Sequence, residues 1–401
     1  MVRTKTGEAG TRAKAKAKAK RTDLLVFSEV KWNYMRTRKR FILSRFPKDW
    51  RILFFEPISS SVSNNFLPKR DGNVIYVSTP ILKPQTESKI YNRLIERKIF
   101  RDLLGLFVLT WVRVVMWFLG VRADADVLIS SIYFVPVVRR LRSSFVCYDC
   151  NDDPTVFPGV RDWSREYFRR LCRRADVIVA CSQSLADRVG SFCGKTAIVI
   201  GNGVDYDLFA SKVSREALPD DIARMKGPIV GYTGAIKEWF DFSLVAQAAR
   251  ANPQASFALI GPVAPGVREE ALALAQELEN VRFLGEKAYE ALPLYLAGMS
   301  VCLIPFKMSA LTSVLNPNKL YEYFAAGKTV VSLKYSEDLA KYEGLMYLVD
   351  EPSRFGATVT RALRETVEPG KVMEIAARNS WRVKAREMVE LLERKGKSAE
   401  V

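Results

Sequence analysis

The stretch "LNPNKLYEYFAAGKTVV" (residues 315–331) carries the reading of this chain. It reads as a short helix followed by a strand. Asn316 is placed to cap the helix, Pro317 to open it and Gly327 to close it, with Thr329, Val330 and Val331 starting the strand. Lys319 then falls in the first turn, where backbone N–H groups already present partial positive charge. A bound anion at that terminus resolves the conflict, with the amides of Asn318, Lys319 and Leu320 free to meet it. Glu322 lies four residues beyond Asn318, about 6 Å along the axis. That spacing suits a diphosphate on the helix start and a ribose on the carboxylate. The competing reading is a plain Lys319–Glu322 surface pair at i, i+3, in the poorer orientation for such a pair.

Working outward, the same strand–helix alternation fills the chain. "DLLVFS" (23–28), "RILFFEP" (51–57), "VIYVSTP" (74–80), "DVLISS" (126–131), "FVCYDC" (145–150), "DVIVACS" (176–182) and "TAIVIGN" (196–202) are short apolar runs rich in β-branched residues. "WNYMRTRKRFILSRF" (32–46) reads as an amphipathic helix between the first two. A polar segment, 211–228, reads as a linker, and the alternation restarts with "PIVGYT" (228–233) and runs to "LMYLVD" (345–350). Continuous apolar strands separated by helices predict parallel sheets covered on both faces. The expected class is α/β, with two doubly wound, Rossmann-like domains facing across a cleft. The expected division is a basic tail at 1–22, a first Rossmann-like domain at 23–210, a second at 220–375 and a last helix within 376–401.

Composition narrows the chemistry. The chain has 401 residues, six cysteines, no histidine and a formal charge of +18. Without histidine, Ser-His, Cys-His and His-metal sites are excluded, and carboxylates, Lys, Tyr or the substrate's own groups must do the work. Cys147 and Cys150 form a lone C-x-x-C with no second pair, so buried reduced thiols are favoured over metal or redox chemistry, and neither metal nor cofactor is expected. The N-terminus has the charge of a secretory signal, but no apolar run follows it, so none is expected. "TRAKAKAKAKR" (11–21) has no apolar face and is read as disordered, either seeking an anionic surface or merely solubilising. Residues 103–119, "LLGLFVLTWVRVVMWFL", contain one charge, Arg113. They are read as a buried or interface helix, as a membrane-surface insertion, or as a short span.

In parallel sheets, ligands sit beyond the carboxyl ends of the strands. Glycines recur there, at Gly231, Gly234, Gly261 and Gly285, where they permit close backbone approach. Neither a Walker A lysine motif nor a G-x-G-x-x-G after the first strand is present. In "YDCNDDP", Asp149, Asp152 and Asp153 are candidates for acceptor contact, with helix capping or turn formation as the alternative.

"NPNKLYEYFAAGKTVVS" resembles the nucleotide-sugar motif of GT-B glycosyltransferases, especially the large retaining family four. The likeness extends to "ADVIVACSQSLADRV", "IGNGVDYDLF", "GYTGAIKEWFD" and the terminal "SWRVKAREMVELL", and it is good from about Phe145 onward. It implies that Glu322 binds ribose and that Asn316, Asn318, Lys319 and Leu320 line the diphosphate. It also places Gly285, Glu286 and Lys287 by the base, and Gly234 and Lys237 near phosphates or acceptor. Lys319, with the helix terminus, would stabilise the leaving diphosphate, which can itself take the acceptor's proton; Asp152 is the acceptor-side candidate. One departure is plain: where the family often carries a first Glu, eight positions before the second, this chain has Val314. The implied function is sugar transfer from a nucleotide sugar to a lipid-linked or saccharide acceptor. The implied place is cytoplasmic, peripheral on the anionic inner face of a membrane. Competing readings are a silent glycosyltransferase-like partner subunit, a nucleotide-sugar isomerase, and a transferase acting on DNA or another polyanion, with nucleic acid the less favoured partner.

Overall fold

The computed structural model describes residues 22–34, 36–59, 63–80, 88–156, 160–211 and 217–394. The basic segment expected at 1–22 lies outside this set except for Thr22.

The first sheet contains β1 (Asp23–Phe27), β2 (Arg51–Pro57), β3 (Lys69–Asp71), β4 (Val74–Thr79), β5 (Asp126–Ile129), β6 (Val146–Cys150), β7 (Val177–Ala180) and β8 (Ile198–Val199). Its order is β3-β4-β2-β1-β5-β6-β7-β8, parallel except for the β3–β4 hairpin. The second sheet contains β9 (Ile229–Thr233), β10 (Ser256–Ile260), β11 (Val281–Gly285), β12 (Val301–Ile304), β13 (Thr329–Leu333) and β14 (Tyr347–Val349). Its order is β11-β10-β9-β12-β13-β14, all parallel. In both sheets the strand order reverses beside the first strand, at β1/β5 and at β9/β12, which opens a crevice at the carboxyl ends there. The strands are apolar because helices cover both faces: β9, β12 and β13 are buried throughout.

Cys147 and Cys150 sit three apart on β6, so their side chains leave opposite faces of the sheet. Cys147 belongs to the core on one side and Cys150 to the core on the other. Burial pushes both thiols up, Cys150 beyond the range where a thiolate forms. All six cysteines are unpaired.

The sequence expected a long helix over residues 32–46. The structure has only Arg38–Leu43, because Trp32 leaves the helix path to give its backbone N–H to Glu56 at 2.8 Å and its indole N–H to Asp71 at 2.9 Å. The segment 103–119 lies within a regular helix, Lys98–Phe118. Among the described residues no helix is long and apolar enough to cross a membrane.

The closing helix, Trp381–Arg394, packs its buried Trp381, Ala385, Met388 and Leu392 into the first domain. Trp381 stacks on Phe41 at 5.1 Å and 7° between planes. Replacing this fully buried indole leaves a cavity where aromatic stacking holds the C-terminal helix to the first domain. Trp381→Ala is expected to lower unfolding free energy by about 3–5 kcal/mol, measured by urea denaturation.

Candidate functional site

The helix of the opening motif runs from Asn318 to Ala325 after β12, with Pro317 rather than Asn316 as its N-cap. The proline's fixed φ already suits the residue before the first turn, and the Asn316 carbonyl is held elsewhere, by the Asn202 side-chain amide at 2.6 Å. The sequence reading left the Leu320 amide free. In the structure it donates to the Pro317 carbonyl at 3.2 Å, so Asn318 and Lys319 supply the amides that head the helix. The Leu320 side chain faces the second core, only 1% exposed, and cannot itself line a diphosphate. Gly327, at φ +66°, ends the helix as expected, and its amide reaches the Phe324 carbonyl at 3.0 Å. The helix is pinned at the crevice by Tyr323, whose hydroxyl accepts from the Thr233 amide at the end of β9, 2.8 Å away.

Lys319 reaches across that strand end. Its Nζ stands 5.1 Å from the Tyr232 ring centroid and 4.7 Å from that of Phe306. Gly234, at φ +128°, makes room: a Cβ there would come within 3.1 Å of Lys319 Cε. Glu322 is buried at 9% exposure. No ion pair within 4.0 Å joins Lys319 to Glu322 among the described residues. Burial therefore dominates both groups. It pushes the Lys319 ammonium down and the Glu322 carboxyl up, and their mutual attraction and the nearby Tyr289 hydroxyl offset this only in part.

Three buried acceptors in the cleft lack a partner within the protein: Asn151 Oδ1, Asn316 Oδ1 and Asn318 Oδ1. Each such oxygen costs about 1–3 kcal/mol if nothing meets it. Together with an unpaired cation and an unpaired carboxylate one turn apart, they describe a site arranged for a charged, hydroxyl-bearing ligand. The simple surface-pair reading fails here, because Glu322 is buried and the two do not bond to each other.

The glycines at the rim divide in role. A Cβ at Gly261 would sit 2.0 Å from the Gly234 carbonyl oxygen, so its close approach is to backbone and not to ligand. Gly285, at φ +71°, is exposed with nothing within 4 Å of its Cβ position, and Glu286 beside it is also exposed. Lys287 pairs with Asp221 at 2.7 Å. Lys237 lies 5.5 Å from the Trp239 ring.

Val314 is 8% exposed and belongs to the core cluster of the first domain, and its carbonyl accepts from Ser182 Oγ at 2.8 Å. A carboxylate at this position would be buried in that apolar contact. The departure at Val314 thus turns a sugar-side position into a joint between domains. A cavity of about 570 Å³ opens beside it, lined by Arg188, Met308, Ser313, Lys334 and Tyr335 among others.

On the first domain, the three aspartates separate. Asp149 pairs with buried Arg38 at 3.3 Å. Asp153 accepts from the Thr155 amide at 2.8 Å and from Arg188 Nε at 2.8 Å, the turn-forming role named as the alternative. Asp152, the third, stands among other charged groups. Burial, and after it the charge of Glu29, raise its carboxyl to about 6, against a smaller opposing pull from Lys39. Sequence reasoning missed this neighbourhood. Glu29 pairs with Lys39 and accepts from Ser130 Oγ at 2.7 Å. Lys39 is one of several cations in "RTRKR" and carries no pattern that singles it out.

The geometry admits comparison with known proteins. Residues 227–365 match the family model described as "Glycosyl transferases group 1". The matched residues lie within the second domain. TuaH of Bacillus subtilis (strain 168), whose name assigns it as a teichuronic acid biosynthesis glycosyltransferase, is 30% identical over 199 residues. That match spans 46% of this chain and 49% of TuaH. Sucrose-phosphate synthase from Thermosynechococcus elongatus superposes with a TM-score of 0.73 at 16% identity, covering 94% of this chain and 100% of that one. An E. coli trehalose-6-phosphate structure bound with UDP-2-fluoro glucose gives 0.69 at 12% identity, covering 92% and 99%. Anabaena Alr3699/HepE in complex with UDP and glucose gives 0.64 at 16% identity, covering 92% and 99%. The fold is GT-B.

The Asp152 environment sets a pH dependence. Its folded value, about 6, exceeds the ordinary 3.8, so the protonated form is compatible with burial and ionisation is opposed. The contribution is fully present below about 4 and is lost as pH rises through about 6. Asp152→Asn removes it: the stability of the wild type relative to the variant is expected to fall across that window, measured by urea unfolding at stepped pH.

Proposed function

We propose that this protein is a glycosyltransferase that moves a sugar from a nucleoside-diphosphate donor to a lipid-linked or other membrane-proximal saccharide acceptor. The observation that carries this reading is the helix head at the β12 exit, where Lys319 and Glu322 are desolvated one turn apart without bonding to each other. The diphosphate sits against the amides of Asn318 and Lys319 and against the Lys319 ammonium. Asn316 and Asn318 meet its remaining polar groups, and Glu322 accepts from the ribose hydroxyls. The base lies toward Gly285 and Glu286, and the phosphate side toward Gly234, with Lys237 beyond it.

As the glycosidic bond to the donor breaks, negative charge grows on the leaving diphosphate. An ammonium and a helix terminus already fixed in place stabilise that charge without reorganising. Proton transfer then has two routes. In a retaining reaction the leaving phosphate takes the acceptor's proton; this is the favoured route, because no histidine is available. In the other, Asp152, poised near 6 on the opposite wall, accepts it. Neither route calls for a resident metal. Cell-wall polysaccharide synthesis is the setting that the TuaH likeness supports.

The test is a thermal-shift screen of nucleotide sugars. A matching donor is expected to raise the melting temperature, and Glu322→Ala to weaken its binding roughly 10–100-fold, the loss of one or two charge-assisted hydrogen bonds. If no donor in a full panel binds or releases nucleoside diphosphate, the transferase reading fails and the partner-subunit reading replaces it.

A further inference from the structure

The helix Lys98–Phe118 is apolar on two opposite sides. Gly105, Val108, Leu109, Val112, Val115 and Met116 face the core. Ile99, Leu103, Phe107, Val114, Trp117 and Phe118 point outward, from 50% exposed at Val114 to 81% at Trp117. At 100° per residue this outer stripe covers about 100° of the circumference and runs about 28 Å along the axis. A continuous row of this kind marks an interaction surface, unlike singly scattered exposed residues.

Charge at both ends of the stripe identifies what covers it. At its start, Lys89, Arg93, Arg97 and Lys98 are exposed. The nearby acids are already matched, Glu96 with Arg161 at 3.1 Å and Asp102 with Arg140 at 3.5 Å. At its end, Arg51 donates to the Leu119 and Gly120 carbonyls at 2.6 and 2.9 Å, while its own amide donates to the Thr22 carbonyl at 2.8 Å. Thr22, which follows a stretch of sequence with eight Lys/Arg against one Glu, therefore lies near this end of the helix. Exposed cations at the start of an apolar row, indole and phenyl rings at its end, and a basic stretch of sequence leading to that end match anionic headgroups above an acyl boundary.

We infer that the outer face of helix Lys98–Phe118 docks the protein in-plane on an anionic bilayer surface. Docked so, the start of the helix lies toward the cleft. Arg101 stacks at 4.8 Å over Trp163, Trp163 meets Tyr133 at 6.1 Å, and Tyr133 lies beside Glu29 of the Asp152 cluster. A membrane-bound acceptor would thus enter at the Asp152 wall. This last step rests on the proposed function; the docking does not.

The experiment is co-sedimentation of the full chain with vesicles of phosphatidylcholine alone and of phosphatidylcholine with phosphatidylglycerol, without donor or acceptor. The wild type is expected to bind the anionic vesicles, less so as salt rises. The variant Leu103→Ser/Phe107→Ser/Trp117→Ser is expected to lose about tenfold or more in binding. Its melting temperature and donor-induced shift should stay unchanged, since the three side chains are exposed. Failure of the wild type to bind, or equal binding by the variant, overturns the inference. So does a concentration-dependent dimer that the variant abolishes, which assigns the face to a second copy. Turnover is not read in this assay, so loss of the transferase reading leaves the docking result standing.

Discussion

The chain crosses between the two sheets twice, and the crossings are hydrogen-bonded to each other. The Val204 amide donates to the Asn379 carbonyl at 3.1 Å, and the Trp381 amide donates to the Val204 carbonyl at 2.9 Å. Gly203 makes this possible: a Cβ there would stand 2.5 Å from the Asn379 carbonyl oxygen. Next to it, Asn202 holds the Asn316 carbonyl, and Arg38 holds the carbonyls of Ile200 and Gly201 at 2.8 and 2.6 Å. This joint fixes how the carboxyl ends of the sheets face each other, and with it the cleft. The "NGVD" motif is thus explained by backbone contact between domains.

Closure is reinforced at the far side of the cleft. The Asp338 carboxylate of the second domain accepts from the amides of Gln183 and Ser184, at 3.0 and 2.9 Å, at the head of helix Gln183–Cys193. A carboxylate at a helix N-terminus is stabilising, so this contact joins the domains through the same electrostatics that the donor helix offers to a ligand. The difference lies in occupancy. One helix head is filled by a side chain of the protein itself, and the other, at Asn318, faces the cleft with a lysine added. Desolvation there raises the energy of the ammonium and the carboxylate together, and a ligand carrying phosphate and hydroxyl groups relieves both.

Much of the fold was legible along the chain. Apolar β-branched runs bounded by turn residues marked the main strands of both sheets, and the helix-stop at Gly327 followed from local chemistry alone. The long helix read over 32–46 was not real, because distant partners, Glu56 and Asp71, claim Trp32. At the site, Lys319 and Glu322 could be singled out, since a cation in a first turn conflicts with the local dipole. Glu29, Lys39 and Tyr289 could not, because each acquires its role from residues far away in sequence.

Residue order therefore decided the elements: periodicity, capping and turn chemistry act over a few positions, and so the two doubly wound sheets and the unusual helix head were set locally. Tertiary packing decided the rest. It turned Val314 from a sugar-side position into an apolar joint and spent Asp149 and Asp153 on ion pairing and turn formation. It also left the outer face of helix Lys98–Phe118 exposed among the described residues. Burial and charge proximity are long-range quantities, fixed only when segments a hundred or more residues apart come within a few ångströms.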